Sequence, residues 1–380
     1  MSCSNCFGCT NLRGKSYYIF NKSVAKEEYQ KFISEFNSGS HEAVNRMKKD
    51  VYDFWHQYPV RFALAFRVEN STGEYIQQSR NLKYCYSVYG SDGLAYCQFC
   101  DLPTTDSYDC TSWGIDSSLN YDTAKFGFGC SGLKFCLLCW PSCRDLEYSV
   151  ECNSSSNLFG CVGLKKKEYC ILNTQYSKDD FFSLREKIIK HMDVMPYVDA
   201  QGNVYRYGEF LPAEFSPFAY NETMAQDFFP LTKEEAGRRG YLWREPEARE
   251  FKTTLRAGDL LDHIQDFDDQ ILKEIIACIS CGRAYRIIPM ELEFYRRIPL
   301  PLPRFCPDCR FRERFRFVNP PKWRHAKCHC VGQKSDNGVY QNQAAHFHGS
   351  NRCPNEFETS YAPERPEIVY CEVCYQSEII

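Results

Sequence analysis

Sulfur carries most of the chemistry this sequence can do, and its spacing is uneven. Of 23 cysteines in 380 residues, three lie at positions 3 to 9, eleven between 85 and 170, none from 171 to 277, and nine from 278 to 374. In the last group, Cys278-x2-Cys281-Gly282 and Cys306-x2-Cys309 have the separation of two knuckles around one tetrahedral zinc. Adjacent thiolates on a knuckle present sulfur at about 2.3 Å to the ion, and Gly282 permits the tight turn behind the first pair. Cys371-x2-Cys374 is a second clean pair, whose partner is expected in Cys328-His329-Cys330, with Cys353, His346 and His348 as substitutes. One residue rather than two separates Cys328 from Cys330, which leaves that ligand set open. His346 and His348 flank Phe347 in strand-like alternation, so they face the same way, as metal ligands or as part of a solvated loop. The expected cofactor is zinc, two ions per chain, in closed four-ligand sites of the structural kind.

The upstream cysteines follow a different rule. A tetrad recurs at Leu82-Lys-Tyr-Cys85, Leu94-Ala-Tyr-Cys97, Ser107-Tyr-Asp-Cys110, Asn120-Tyr-Asp-Thr123, Leu133-Lys-Phe-Cys136, Leu146-Glu-Tyr-Ser149 and Leu158-Phe-Gly-Cys161, its start advancing by 12 or 13 residues. Each tetrad reads as a short strand with side chains alternating between faces, closed by a small residue. Units this short must stack on their neighbours to bury anything, so a β-solenoid is expected, with one tetrad or two in each coil. The closing cysteines then form an inward ladder of compact side chains. The alternative is that Cys97-x2-Cys100, Cys136-x2-Cys139 and Cys3-x2-Cys6-x2-Cys9 seat a zinc or a redox pair.

The elements around these groups can be read in outline. Asn5 to Tyr29 aligns without a gap on Asn157 to Phe181, each copy running from Phe-Gly-Cys through an apolar strand into an acid-rich helix start. The second of these helices is expected from about Lys178 to Met192, burying Phe181, Leu184, Ile188 and Met192. The copies could cap the two ends of the solenoid, where strand edges need cover. Thr232-Lys-Glu-Glu235 fits a capping box before a short helix ended by Gly240. Leu260, Ile264, Phe267, Ile271 and Ile275 keep helical spacing from Asp259 onward. Glu209, Glu214 and Glu222 are carboxylates to test, although solvated side chains explain them as well, and no catalytic constellation stands out.

Composition bounds the rest. Hydrophobic content of 43%, charged content of 25% and a net charge of −3 suit two or three packed domains and exclude a uniformly basic coat or an acidic tail. The N-terminus lacks a secretory pattern and no long apolar run is present, so a reducing, cytoplasmic setting is expected. From Arg283 to Lys327, twelve Lys and Arg face four Asp and Glu. Arg310, Arg312, Arg314 and Arg316 alternate with rings, followed by Lys322, Trp323 and Arg324. Such a patch could follow phosphates and stack on bases, or it could dock on the acidic remainder of the chain or on another protein.

The stretch Cys278 to Arg310, with Glu291-Leu-Glu-Phe-Tyr295, Leu300-Pro-Leu-Pro303 and Cys306-Pro-Asp-Cys309-Arg310, resembles the zinc-ribbon domain of many bacterial proteins. More broadly, residues 5 to 29, 68 to 175, 208 to 243 and 259 to 378 look like a family of zinc-ribbon proteins from uncultured ultra-small bacteria. Asn157-Leu-Phe-Gly-Cys161, Ser216-Pro-Phe-Ala-Tyr-Asn-Glu-Thr223 and Pro354 to Cys371 also carry this resemblance. It implies zinc and a modular build, and brings no activity, substrate or catalytic residue. The expected fold is mainly β with some α: a cysteine-rich β-solenoid-like domain followed by zinc-ribbon or treble-clef-like modules. Its units are a strand-helix copy (1–36), a helical or extended connector (37–81), repeats with a closing helix (82–192), an aromatic and Pro-rich linker (193–258), a helix plus first zinc module (259–327) and a second zinc module (328–380). The expected function is a non-enzymatic zinc-binding scaffold or interaction protein whose metal holds the basic-aromatic surface. A nucleic-acid-binding zinc-ribbon protein is the alternative, and an enzyme using a solenoid cleft or CxxC thiols is a third. Neither a membrane nor a small-molecule substrate is implied.

Overall fold

From Leu82 to Cys100 every third side chain turns inward: Leu82, Cys85, Val88, Ser91, Leu94, Cys97 and Cys100 are each at most 3% exposed. The residues just before them, among them Tyr84, Ser87, Gly90, Gly93, Tyr96 and Phe99, have φ between +51° and +68°. This left-handed corner is unfavourable for most side chains, by about 1 kcal/mol each, so stacking must hold it in place. It turns the chain after every three residues, and four such sides close a coil. The computed structural model describes residues 2–101, 103–245 and 251–379, and shows a mixed α/β chain with many short strands. Met1, Leu102, residues 246–250 and Ile380, which fall in the units expected over 1–36, 82–192, 193–258 and 328–380, lie outside the described residues.

The coils stack in parallel. Tyr86, Gln98, Thr111, Ala124, Leu137, Val150 and Val162 form one column of bridged residues. Their spacing matches that of the tetrads, so one tetrad belongs to each coil. Lys83 N–H donates to Leu94 O at 2.9 Å while Tyr96 N–H donates to Lys83 O at 2.8 Å, and this exchange recurs between later coils. The tetrads are therefore not the alternating strands expected from their sequence. Their first and fourth residues both face inward, their third is the left-handed corner, and the period is three rather than two. The ladder begins at Ala65–Phe66 and Gly73–Gln77, ahead of Leu82, in coils without a closing cysteine.

The inward cysteines leave little space and few orphaned carbonyls. Cys136 Sγ donates weakly to Lys134 O at 3.2 Å and to Leu146 O in the next coil at 3.3 Å; Cys161 reaches Phe159 O and Cys170 O in the same way. Thr123 repeats the pattern through its hydroxyl, toward Tyr121 O and Leu133 O. A small side chain with one donor satisfies both requirements, which is why Cys, Thr and Ser interchange at this position. Burial pushes the Cys161 and Cys170 thiols up, toward the neutral form.

The duplicated segments share their register. Ser4, Cys6 and Phe7 pair with Ser16, Tyr18 and Ile19, as Ser156, Leu158 and Phe159 pair with Glu168, Cys170 and Ile171. Helices Lys26–Glu35 and Lys178–Val194 follow at the same distance. The second helix closes the far end of the ladder, packing Phe181, Leu184, Ile188 and Met192 around Phe159 and Ile171. Its Arg185 grips the nearly buried Glu147 with two bonds of 2.9 and 2.6 Å. The first copy does not cap the near end. Its Asn11 bonds Pro59 O and Tyr375, and Gly8 O accepts from the Trp55 indole, so it rests on helix His41–Trp55, strand Pro59–Arg61 and the C-terminal helix.

The 193–258 region runs back along the ladder. Tyr207 bonds Glu147 at the far end, while the Phe228 ring meets Tyr86 and Phe99 near the other. Thr232 and Glu235 form the expected capping box before helix Lys233–Arg238. The helix expected from Asp259 is replaced by three 3-10 turns, Ala257–Asp259, Ile264–Asp266 and Asp269–Lys273. Side-chain acceptors interrupt it: His263 takes the Gln265 N–H and Asp268 takes the Gln270 N–H, holding the chain extended at both points. Leu260, Ile264, Phe267 and Ile271 are buried all the same, against the first knuckle.

Candidate metal centres

The expected first site assembles as four thiols. Cys278, Cys281, Cys306 and Cys309 bring their sulfurs within 4.8 Å of one another. Cys278 and Cys281 sit on the turn between strands Ile276–Ala277 and Ala284–Tyr285, where Gly282 at φ +70° donates its N–H to Cys278 O. Cys306 caps helix Pro307–Phe315 and Cys309 lies in its first turn. The Cys281 and Cys306 sulfurs are 3.7 Å apart. That is the edge of a zinc-thiolate tetrahedron with arms of about 2.3 Å, whose corners lie about 3.8 Å apart, and nearly twice the length of a disulfide. Burial raises the Cys278 thiol, but N–H groups of Cys306, Cys281 and Ser280 outweigh it and draw it down to about 6, toward the thiolate a metal needs.

The second site keeps this plan with a changed ligand. Cys371 caps helix Glu372–Ser377, Cys374 lies in its first turn, and Cys371 N–H points at Cys328 Sγ at 3.2 Å, as Cys306 N–H points at Cys278 Sγ. The four converging thiols are Cys328, Cys353, Cys371 and Cys374, all buried. Cys353 is 3.8 Å from Cys371 and 3.7 Å from Cys374. Cys330, expected as the fourth ligand, is displaced by its substitute Cys353. Two residues of extended chain cover about 6.6 Å, too far for Cys328 and Cys330 to share an edge without a knuckle turn.

Cys330 belongs instead to an adjoining group with His346, His348 and Cys374, again within 4.8 Å. His346 Nδ1 is 3.5 Å from Cys330 Sγ and His348 Nε2 is 3.3 Å from Cys374 Sγ. Glu378 lies behind His346, with 2.8 Å between carboxylate and Nε2 and both side chains at 0% exposure. Burial alone would raise this carboxyl, but bonds from Gln343, Tyr340, His346 and Ala344 hold it below its ordinary value. Asn342 donates to Cys330 Sγ at 3.2 Å and Asn355 to Cys371 Sγ at 3.3 Å. Glu378, Asn342 and Asn355 escaped the sequence reading. The one signal for Glu378 is its place one helical turn after Cys374.

The remaining candidates do not converge. Upstream thiols meet one another, Cys97 beside Cys100, Cys110 and Cys85, and Cys130 beside Cys143. No four of them share one point among the described residues. Cys3 and Cys6 donate to Leu12 O and Lys15 O in the manner of the inward cysteines. Glu214 bonds Tyr197 and Ala200 N–H, and Glu222 bonds Arg244 and Ala219 N–H. In the basic segment, Arg310 is engaged by Glu291 and Tyr295, Arg316 pairs with Glu313, and Arg324 donates to Ser360 O. Arg312 and Arg316 line one open groove with Phe228, and Arg314 lines another with Tyr52 and Trp55. Lys322 donates its backbone N–H to Pro320 O.

No family model matches the chain, and no curated protein matches it. Two solved structures align weakly. A protein described as an acetyltransferase from Bacillus cereus is 7% identical, covering 34% of this chain and 94% of its own, at a TM-score of 0.12. The perosamine N-acetyltransferase of Caulobacter crescentus is 10% identical, covering 35% and 61%, at 0.10. Scores this low establish no common fold. No helix among the described residues is long and apolar enough to cross a membrane.

Proposed function

We propose that the chain is a non-enzymatic scaffold in which zinc holds two zinc-ribbon-type modules against a β-solenoid stem. The observation that carries this reading is the convergence of four thiols within 4.8 Å of one another in each of two places, with the Cys281–Cys306, Cys353–Cys371 and Cys353–Cys374 sulfurs at the 3.7 to 3.8 Å of a zinc tetrahedron's edge. Four protein ligands fill a tetrahedral zinc and leave no position for a reacting water, so such an ion is structural. Zinc is the occupant best matched to thiolate-rich tetrahedra, and a reducing compartment keeps the thiols available.

The basic-aromatic segment is then a joint within the chain. Phe315 packs on Phe228 of the 193–258 region, Phe317 on Tyr52 of helix His41–Trp55 and Trp323 on Tyr84 of the stem, while Phe311 and Phe317 stay 43% and 49% exposed. Asn319 O accepts from Tyr86 OH at 2.6 Å and Asn319 N–H donates to Tyr75 OH at 3.1 Å. These contacts support docking through Phe315, Trp323 and Asn319, and leave Phe311 and Phe317 as the rings a base would stack on.

The test is chelation of the full-length protein at neutral pH. Cleavage by a trace protease is expected to spread through residues 278 to 374 while 82 to 175 stays resistant, because metal binding free energy is folding free energy in such modules. A tail that stays ordered without metal would defeat the reading. Binding to RNA or DNA that weakens steeply with salt, and is lost when Arg312 and Arg314 are replaced, would put nucleic-acid recognition in its place.

A further inference from the structure

The seven buried or half-buried ligands at the C-terminus are more than one ion can use. Cys328, Cys353 and Cys371 complete one group, Cys330, His346 and His348 complete the other, and Cys374 is common to both. Two tetrahedral ions need eight ligand positions, and seven side chains supply eight if one of them is counted twice. A thiolate has the lone pairs to do this, whereas an imidazole nitrogen has one.

We infer that the C-terminal module holds a two-metal centre in which the Cys374 thiolate bridges two zinc ions. This deepens the zinc-scaffold reading and rests on it, raising the expected content from two ions to three per chain.

Three further features fit the second ion of the pair. Each histidine is oriented for coordination by what its other nitrogen touches. The His346 Nε2 faces Glu378 at 2.8 Å, which turns Nδ1 toward Cys330, and the His348 Nδ1 faces Asn351 O at 2.7 Å, which turns Nε2 toward Cys374. Partners of this kind fix the tautomer and aim the free nitrogen at a metal. Glu378 is itself held by Tyr340 OH and by Gln343 and Ala344 N–H, so the acceptor is fixed before any ion arrives. The nitrogen to sulfur distances of 3.3 and 3.5 Å are close to the mixed edge of a zinc tetrahedron, about 3.5 Å.

The second feature is exclusion of water. Of the second ion's ligands, Cys330 and Cys374 are 0% exposed and His346 is 7% exposed, with His348 alone half-buried, so most of the group is closed to water and a shared sulfur supplies the eighth position. The third is charge. Two divalent ions balance four of the five thiolates, and the Asn342, Asn355 and Cys371 N–H donors on Cys330, Cys371 and Cys328 stabilise the remainder. One ion on the same sulfurs would leave three buried negative charges, or thiols donating to the very His346 and His348 nitrogens that a second ion would take.

The experiment is metal analysis of the intact chain, with a spectroscopic check that needs no variant. Purified protein is expected to hold three zinc ions, and the His346→Gln, His348→Gln double variant two. The chain reconstituted with cobalt should show the pair coupled through the shared sulfur, so that the low-temperature paramagnetic signal accounts for about one of the three ions, the one at Cys278. Two zinc ions in both the native chain and the double variant would overturn the two-metal centre and leave the scaffold reading standing. Three cobalt ions giving three uncoupled signals would overturn the bridge. Fewer than two ions in the native chain would defeat the scaffold reading itself. If the double variant fails to fold, the cobalt signal of the native chain decides the question.

Discussion

Cys97-x2-Cys100 and Cys306-x2-Cys309 have the same spacing and opposite chemistry. On the stem, a left-handed corner at Phe99 separates the two sulfurs onto successive sides of one coil, and each turns inward toward a carbonyl of the next. At the head of helix Pro307–Phe315 the same three-residue step stays on one turn, so both sulfurs face one point, with two more thiols opposite. Backbone conformation decides whether the spacing makes filler or a cage. A CxxC motif is thus a statement about metal only when the turn that carries it is known.

The sharpest way to break that comparison is to remove one sulfur from the cage. Cys371→Ser is expected to lose metal from the C-terminal module and unfold it, since the binding energy of structural zinc is about 10 to 16 kcal/mol and serves as folding energy. Metal content and protease resistance of residues 328 to 379 both report it. A variant that keeps all its metal and its resistance would place this cysteine with the filler.

A change of middling size probes how the stem ends, where a buried ion pair joins the apolar packing of helix Lys178–Val194. Arg185→Ala strands Glu147, which is 6% exposed, with Tyr207 and the more distant Lys134 as its remaining partners. Loss of one member of a buried pair costs about 3 kcal/mol, visible as a lower denaturant midpoint. An unchanged midpoint would mean that Lys134 and Tyr207 suffice for Glu147 and that apolar packing alone closes the last coil.

The opposite end of the stem is expected to respond to pH through one buried carboxyl. Glu74, fully buried in strand Gly73–Gln77, accepts from Leu64 N–H at 2.9 Å and from Ser360 OH at 2.6 Å, tying the first coils to the C-terminal module. Burial raises its carboxyl above the ordinary value, against the pull of Ser360, the backbone N–H groups and Arg61. The folded state therefore holds this proton more tightly than the unfolded one. Its contribution is complete below the unfolded value of about 4.3 and fades as pH rises through the raised folded value. Glu74→Gln should flatten that part of the stability profile, by roughly 1 kcal/mol, while leaving metal content unchanged. Parallel profiles for both proteins would show that Glu74 ionises without cost where it stands.

The sequence made some of this plain and hid the rest for identifiable reasons. The cage at Cys278 was legible because knuckle spacing and a following glycine leave few other uses for four thiols. The repeat length was legible in the 12- and 13-residue advance of the tetrads, whereas one tetrad per coil emerged only from the column of bridged residues. The inward period of three was hidden because Tyr84, Tyr96 and Phe135 are ordinary strand residues whose left-handed φ is imposed by stacking, not by local preference. Cys353 in place of Cys330 was hidden because nothing local to Cys328-His-Cys330 tells that its chain is extended. The apolar spacing after Asp259 correctly marked the buried residues but not their conformation, since Asp268 and His263 supply competing acceptors that a periodicity count ignores.

The smallest expected effect is the one that tests the filler half of the comparison. Cys136 gives its weak donor to Lys134 O and Leu146 O, and Ser149 and Thr123 stand at the same place in neighbouring coils. Cys136→Ser keeps a donor in a slightly smaller side chain, and both acceptors are already in place, so it should cost about 1 kcal/mol, with no change in metal content. A loss of one ion from this variant would make the upstream thiols ligands after all. A cost of several kcal/mol with metal intact would mean that the coil interior needs the apolar character of sulfur more than its hydrogen bonds. The two failures are told apart by a single elemental analysis beside one unfolding curve, because a ligand and a filler differ in what leaves with them.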